Sequence, residues 1–222
     1  MKPGFNPSLA NPQRGMGLIE LMIGMTISLI VLIALGYFFL GSTQANRTHN
    51  DISRMQESGR HALEILGSAI RQAGYRTDAD VAFAGTALTG TNATPDTITV
   101  QFDAQEGDET DCAGNLIDAD APSPGNLVTY AFAVNGSLQL TCQGQPVADN
   151  IEDMQITYGI DTTKDGVIDL YTAAPTAAQF GQAAAVNVSL TVRGPTANAA
   201  TGGDGFLRQV YATTFTVRNQ AR

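Results

Sequence analysis

The sequence predicts an α+β protein in which one long N-terminal helix is followed by an antiparallel β-sheet. Two observations favour this class. An apolar stretch at residues 16–40 continues into a polar but periodic segment that ends near Gly74. Short segments of alternating polarity follow from residue 97 onward. A helix followed by a run of strands is typical of α+β domains. The 222 residues suffice for one anchor and one domain of ordinary size.

The apolar stretch is long enough to cross a membrane. It has 25 residues, and a helix rises 1.5 Å per residue across a hydrocarbon core of about 30 Å. Its one formal charge is Glu20. Inserting a carboxylate costs at least ~2.5 kcal/mol unless it lies near an interface or finds a partner. Glu20 is therefore a candidate functional residue.

Beyond Leu40 the polarity changes, but helical periodicity continues. Apolar and small residues recur at steps of three or four positions, and no proline occurs between Gln13 and Thr94. We therefore expect one helix from about Met16 to Ala73, with Gly74 as its C-cap. Its first half should lie in lipid and its second half should pack on a sheet. The stripe contains Ile52, Met55, Gly59, Ala62, Leu63, Leu66, Ile70 and Ala73.

The remaining chain reads as strands separated by loops. Asn135-Gly136 lies between two alternating runs and predicts a two-residue hairpin turn. Residues 103–125 and 196–205 are typical of loops, and the residues between Thr172 and Ala185 favour no element. The predicted strands are Thr97–Phe102, Leu127–Val134, Ser137–Cys142, Met154–Ile160, Ile168–Tyr171, Val186–Arg193 and Val210–Arg218.

Charge and histidine content argue against several function classes. From Tyr75 onward there are 17 acidic and six basic residues, a net charge of −11, whereas the whole chain has −9. We expect no direct binding of nucleic acid, because phosphate contacts need clustered Lys and Arg. The two histidines, His49 and His61, lie on the predicted helix. No catalytic triad can be built within the domain, and we do not expect an enzyme.

The N-terminus combines a charged leader, a glycine and an acid in a particular order. Residues 1–15 carry Lys2 and Arg14 and end in Gly15; Met16 follows, and Glu20 is five positions after the glycine. In a secretory signal the small-residue cleavage site follows the apolar core, but here it comes before. This arrangement resembles the class III signal of type IV pilins and type II secretion pseudopilins. An uncleaved signal anchor with a chance glutamate is the alternative.

Four further stretches are similar to those of the W-type minor pilins, PilW, and less so to J-type pseudopilins. They are Met55–Tyr75, Met154–Tyr171, Val186–Pro195 and Arg208–Asn219. The resemblance implies a leader at 1–15 that prepilin peptidase cleaves after Gly15, with methylation of Met16. It also implies a helix at 16–74 that spans the inner membrane once at 16–40, and a periplasmic domain at 75–222. The chain would then enter the pilus.

For Glu20, the resemblance implies a role in assembly. The new amine of Met16 in one subunit can pair with the Glu20 carboxylate of its neighbour. The alternative is that Glu20 only lies at the level of the lipid headgroups. The expected partners are other major and minor pilins, prepilin peptidase and the inner-membrane assembly machinery. The implied function is a minor pilin that primes pilus assembly, in twitching, adhesion or DNA uptake, and that can remain at the pilus tip. A type II secretion pseudopilin and a membrane-anchored periplasmic binding module or enzyme remain alternatives.

Two cysteines, Cys112 and Cys142, follow the membrane segment. On the periplasmic side implied by the resemblance, a disulfide between them is permitted. Closing that loop would stabilise the fold by roughly 3–4 kcal/mol on the chain-entropy model. Their spacing does not suit a zinc site, and no histidine follows them.

Residues 161–169 contain a candidate calcium loop. Asp161, Thr163, Asp165 and Asp169 match positions one, three, five and nine of an EF-hand loop, with Gly166 at the turn. Position twelve is Thr172 rather than the expected glutamate. A polar β-turn built on Asp165-Gly166 is the alternative. Calcium is the one cofactor that the sequence suggests.

Overall fold

The computed structural model describes residues 17–78, 83–104, 109–118, 126–197 and 203–219. The chain divides into two compact units, Met1–Arg47 and Thr48–Arg222. A long helix, α1 (Leu18–Gln72), precedes antiparallel strands, so the predicted α+β class is confirmed.

Strands β1 to β7 supply the larger sheet and a short separate pair. The five-stranded sheet has the order β1-β2-β5-β6-β7, and each neighbouring pair is antiparallel. A two-stranded ribbon, β3-β4, lies in the segment between β2 and β5. The bounds are β1 (Leu88–Thr91), β2 (Thr97–Asp103), β3 (Glu109–Thr110), β4 (Leu116–Ile117), β5 (Leu127–Val134), β6 (Gln139–Cys142) and β7 (Gln145–Asp149).

The second sheet contains the last four strands in the order β11-β10-β8-β9. One short helix, α2, precedes β10 and begins with a capping box at Thr176 and Gln179, which satisfies two N-terminal backbone donors. The bounds are β8 (Ile151–Ile160), β9 (Leu170–Thr172), α2 (Ala177–Phe180), β10 (Ala183–Ala197) and β11 (Phe206–Thr216).

Side-chain alternation decides which face of the second sheet enters the core. Alternate residues of β8 and β10 are buried, among them Met154, Ile156, Val188 and Leu190. The residues that alternate with them are half-buried, whereas residues 158–160 at the end of β8 and residues 183–186 at the start of β10 are all buried. From Thr48 onward, α1 buries one stripe that includes Met55, Ala62, Leu66 and Ile70. This stripe and both sheets contribute to one hydrophobic cluster.

The hairpin between β5 and β6 differs from the two-residue Asn-Gly turn that the sequence predicts. The connection is Asn135–Leu138, and the residue with positive φ is Leu138, at 59°, not Gly136. The Asn135 side-chain oxygen accepts hydrogen bonds from the backbone N–H groups of Ser137 and Gln139, each at 3.0 Å. Asparagine therefore organises a longer loop through its side chain, and β6 begins at Gln139 instead of Ser137.

Other element boundaries also differ from the predicted ones. The expected strand Ile168–Tyr171 is Leu170–Thr172, because Asp169 is used in the preceding turn. Residues 196–205, expected to be a loop, begin within β10, which ends at Ala197. The strands form two larger sheets rather than one. The β3-β4 ribbon lies in residues 103–125 and β1 in residues 75–95, both expected to be loops, and β7 was not predicted.

Candidate functional site

The first unit contains the candidate membrane anchor. Every residue from Gly17 to Ser42 is exposed, including the apolar ones. By length and composition, α1 could cross a membrane. Three hydroxyl groups on it donate to carbonyls one turn earlier: Thr26 to Ile23 at 2.9 Å, Ser28 to Gly24 at 2.7 Å, and Thr43 to Leu40 at 2.9 Å. Such bonds satisfy polar groups inside hydrocarbon without any partner from outside the helix.

Glu20 lies in the first turn of α1, which begins just before it. Its backbone N–H donates to the carbonyl of Gly17 at 3.0 Å. A carboxylate in the first turn is stabilised by the positive end of the helix dipole. One turn later, Gly24 has no atom within 4 Å of the position that a Cβ would occupy. The helix surface next to Glu20 is therefore indented and open. Gly15 and Met16 lie outside the described residues.

In the second unit, two glycines of α1 receive aromatic rings from β11. A Cβ built on Gly59 would lie 2.7 Å from a ring carbon of Tyr211. A Cβ on Gly67 would collide with the Phe215 ring in the same way. The guanidinium carbon of Arg71 lies 5.8 Å from the centre of the Phe215 ring. The sequence placed Gly59 in the packing stripe, but it did not identify either aromatic partner.

The two cysteines form a disulfide with a Cα–Cα distance of 5.6 Å. Cys142 is buried in β6, whereas Cys112 lies in the turn between β3 and β4. Asp111 organises that turn, since one of its carboxylate oxygens accepts from the N–H groups of Ala113 and Asn115 at 2.9 and 2.8 Å. Hydrogen bonding, above all from the Asn115 side chain, holds the pKa of Asp111 below its ordinary value. The bridge thus ties the ribbon to the five-stranded sheet.

The candidate calcium residues lie in the turn between β8 and β9. Asp161 is buried, and its carboxylate accepts from the N–H groups of Lys164 at 2.6 Å and Gly166 at 2.9 Å. Asp165 accepts from Val167 at 2.9 Å. Asp169 accepts from the N–H of Thr162 at 2.8 Å and from its hydroxyl. The Thr162 hydroxyl is the main cause that lowers the pKa of Asp169.

These carboxylates therefore act as acceptors that shape the turn. Thr163 joins them through a longer hydrogen bond, 3.4 Å from its hydroxyl to Asp161. In the part of the chain that the structure describes, no three His, Cys, Asp or Glu side chains are grouped as a metal site. Calcium binding here stays a prediction.

A charged cluster at one end of the second sheet was not anticipated from the sequence. Arg208 donates to both carboxylate oxygens of Glu152, at 2.6 and 2.9 Å, and to Asp204 at 2.6 Å. Arg193 lies 3.7 Å from Glu152 and stacks over Phe206 at 4.2 Å. Hydrogen bonding by Arg208 strongly lowers the pKa of Asp204. Glu152, Arg193 and Arg208 lie on three different strands, and the pairing of β8 with β10 and of β10 with β11 brings them together.

Comparison with known families gives two matches. The prokaryotic N-terminal methylation motif matches residues 10–36, a range that includes Gly15, Met16 and Glu20. The Type IV Pilus-assembly protein W family, PilW, matches residues 126–204, from just before β5 to beyond the end of β10. No curated protein matches.

Among solved structures, one similar chain is the type IV-like pilin TTHA1219 from Thermus thermophilus. It is 13% identical, with a TM-score of 0.47, and the alignment covers 79% of this chain and 98% of that one.

A methylation motif followed by a long apolar helix and antiparallel sheets makes this chain similar to type IV pilin-like proteins. The motif implies processing by prepilin peptidase, and with the exposed apolar helix it supports membrane anchoring. The second match, over residues 126–204, supports a minor pilin of the PilW type in pilus assembly. The resemblance seen in the sequence is confirmed.

Proposed function

We propose that this protein is a minor pilin that primes assembly of a type IV pilus and remains at the tip. The observation that carries the proposal is the methylation motif directly ahead of an exposed apolar helix, joined to a domain with a PilW match. A role at the start of assembly would make the protein necessary for twitching, adhesion or DNA uptake.

Processing is the first step of the proposed function. Prepilin peptidase cleaves after Gly15 on the cytoplasmic side, and the amine of Met16 is methylated. The apolar part of α1 stays in the inner membrane as a single span, and the domain that follows lies in the periplasm.

Assembly then uses Glu20. The positive amine of Met16 in one subunit pairs with the carboxylate of Glu20 in its neighbour, which reduces the cost of holding two charges in an apolar bundle. The exposed first turn and the open surface at Gly24 support this role, because a neighbouring helix can approach closely at a glycine.

The test uses the full chain in a piliated strain. Sheared pili are purified, and the subunit is identified by mass analysis of its N-terminus. We expect a chain that begins at a methylated Met16 and that co-purifies with other pilins. An intact leader, or a mature chain found only in membranes and never in pili, would contradict the proposal. Gly15→Val should leave the leader uncleaved, and Gly17→Val serves as the matched control.

A further inference from the structure

The outward side of the second sheet has an unusual distribution of charge. Strand registers place four cross-strand rows on this side: Asp153–Thr191–Val210, Gln155–Ser189–Ala212, Thr157–Asn187–Thr214 and Gly159–Ala185–Thr216. We call these twelve positions the outer face. The Asn187 amide donates to the Thr214 hydroxyl at 2.9 Å, which shows that neighbouring side chains of one row meet.

One of the twelve positions is charged, in a domain where acids are abundant. That residue, Asp153, lies in the end row, and its carboxylate accepts a hydrogen bond from Gln155 at 3.2 Å. From Tyr75 onward the chain has 17 acidic and six basic residues, so nearly all of these charges lie outside the outer face. Charge depletion within a polar surface is the compositional mark of the centre of a protein–protein interface.

Exposed side chains in and around the outer face also support its role as a protein–protein interface. Val210 is 61% exposed within it. Tyr171 is 57% exposed, and its ring covers Gly159 at one corner of the face. Tyrosine is among the residue types that most often dominate binding energy once an interface buries them.

Charged groups close both ends of the outer face. The next row beyond Thr191–Val210 is Arg193–Arg208, where the cluster with Glu152 and Asp204 lies. Near the corner formed by Gly159 is the acidic turn with Asp165 and Asp169. A weakly charged centre with charged ends matches the pattern of an interface core within a polar rim.

The size of the outer face indicates what kind of partner it fits. Rows repeat every ~6.7 Å along a strand and strands lie ~4.8 Å apart, so twelve positions cover at most roughly 390 Å². Gly159 and Ala185 are buried and contribute little of this area. A partner that binds from free solution needs about 800 Å² on each side. The outer face is therefore too small to hold a soluble protein, but it suffices for a partner already held nearby, because tethering supplies a high effective concentration.

We propose that the outer face docks another, different pilin-like subunit held in the same assembly. This inference rests on the proposed function, since α1 would tether both subunits. A second copy of this chain is a poorer occupant, because two domains of net charge −11 repel each other. The partner should present a surface of low charge whose rim carries Lys or Arg, opposite Asp165 and Asp169.

The test introduces charge at exposed outer-face positions of β11. The double variant Ala212→Glu with Thr214→Glu alters two exposed side chains, so the fold should tolerate it. The matched control is Gln145→Glu with Ser137→Glu, two exposed positions of the five-stranded sheet and its hairpin. Both are expressed as full chains in a piliated strain, and mature protein in membranes and in sheared pili is quantified.

We expect the outer-face variant to be processed normally but to enter pili at least tenfold less than wild type, with the control unchanged. A photo-crosslinker at position 212 should capture a different pilin-like subunit, and the same group at position 145 should not. Normal incorporation of the outer-face variant, capture of a second copy, or no capture from position 212 would overturn the docking proposal. If wild-type protein itself never enters pili, the proposed function fails instead, and the two failures are thereby distinguished.

Discussion

The two parts of α1 use apolar residues in opposite ways. In the first unit, side chains from Gly17 to Ser42 are exposed on every side of the helix. In the second unit, one stripe with Met55, Gly59, Leu66 and Gly67 is buried, and the other sides are charged or polar. A helix that is apolar all round needs an apolar surrounding, whereas a striped helix needs one packing partner. Helix formation is common to both parts, so the surroundings of each part determine its role.

This difference predicts that damage to the domain and damage to the anchor can be separated. Four variants test the separation, and they are ordered by the size of the expected effect. Stability is measured by urea unfolding of the full-length mature chain in detergent, and assembly by the amount found in sheared pili.

The largest expected effect comes from removing the disulfide. Cys112 and Cys142 are 30 residues apart in sequence, and replacing both by Ser should lower the free energy of unfolding of the domain by about 3–4 kcal/mol. Membrane insertion should not change, because both cysteines lie in the second unit. Alkylation of the wild-type protein under non-reducing conditions should find no free thiol. Two free thiols would contradict the bridge.

Gly67→Val should disrupt the packing between α1 and β11. The new side chain would collide with the ring of Phe215, so the domain should lose about 2–3 kcal/mol. Gly41→Val is the matched control on the same helix, because no atom lies within 4 Å of its Cβ position. Equal urea midpoints for the two variants would show that this glycine is not required for packing.

Glu20→Ala tests the anchor and leaves the domain unchanged. Loss of a charge pair worth about 1–2 kcal/mol in an apolar bundle should reduce incorporation into pili by roughly tenfold. Cleavage of the leader and the unfolding free energy of the domain should stay as in wild type. Glu57→Ala, which removes an exposed acid from the second part of α1, is the control. If the Glu20→Ala variant enters pili as efficiently as wild type, Glu20 has no role in assembly.

The smallest expected effect is that of calcium on the turn at residues 161–169. With a dissociation constant of about 10⁻⁴ to 10⁻³ M, 1 mM calcium should stabilise the domain by about 0.4–1.4 kcal/mol. Asp165→Asn should abolish this response, since it removes a charge but keeps an acceptor for the N–H of Val167. Asp149→Asn, at an exposed acid of β7, should retain it. If calcium does not stabilise the wild type, or stabilises both variants equally, the segment is a plain β-turn and not a calcium site.

Features that depend on neighbouring residues could be predicted from the sequence. The anchor, the position of Glu20 in it, the buried stripe of α1 and the alternation of β8 and β10 follow from periodicity, which is a local property. The same holds for the processing signal, where order along the chain carries the information. Even here, side-chain bonding altered local details: the Asn135 side chain lengthened the hairpin, and Asp169 shifted the start of β9.

Features that depend on strand pairing were decided by the tertiary structure alone. Nothing local connects Glu152 with Arg208, which meet through the register of β8, β10 and β11. The same holds for Gly67 and Phe215, which meet where α1 packs on β11. Asp51 illustrates the same point within the helix. It is a buried acid in a stripe of apolar residues, where it accepts a hydrogen bond from Thr196 at the end of β10. Burial of a carboxylate is tolerable only with such a partner, and the partner is supplied by the fold.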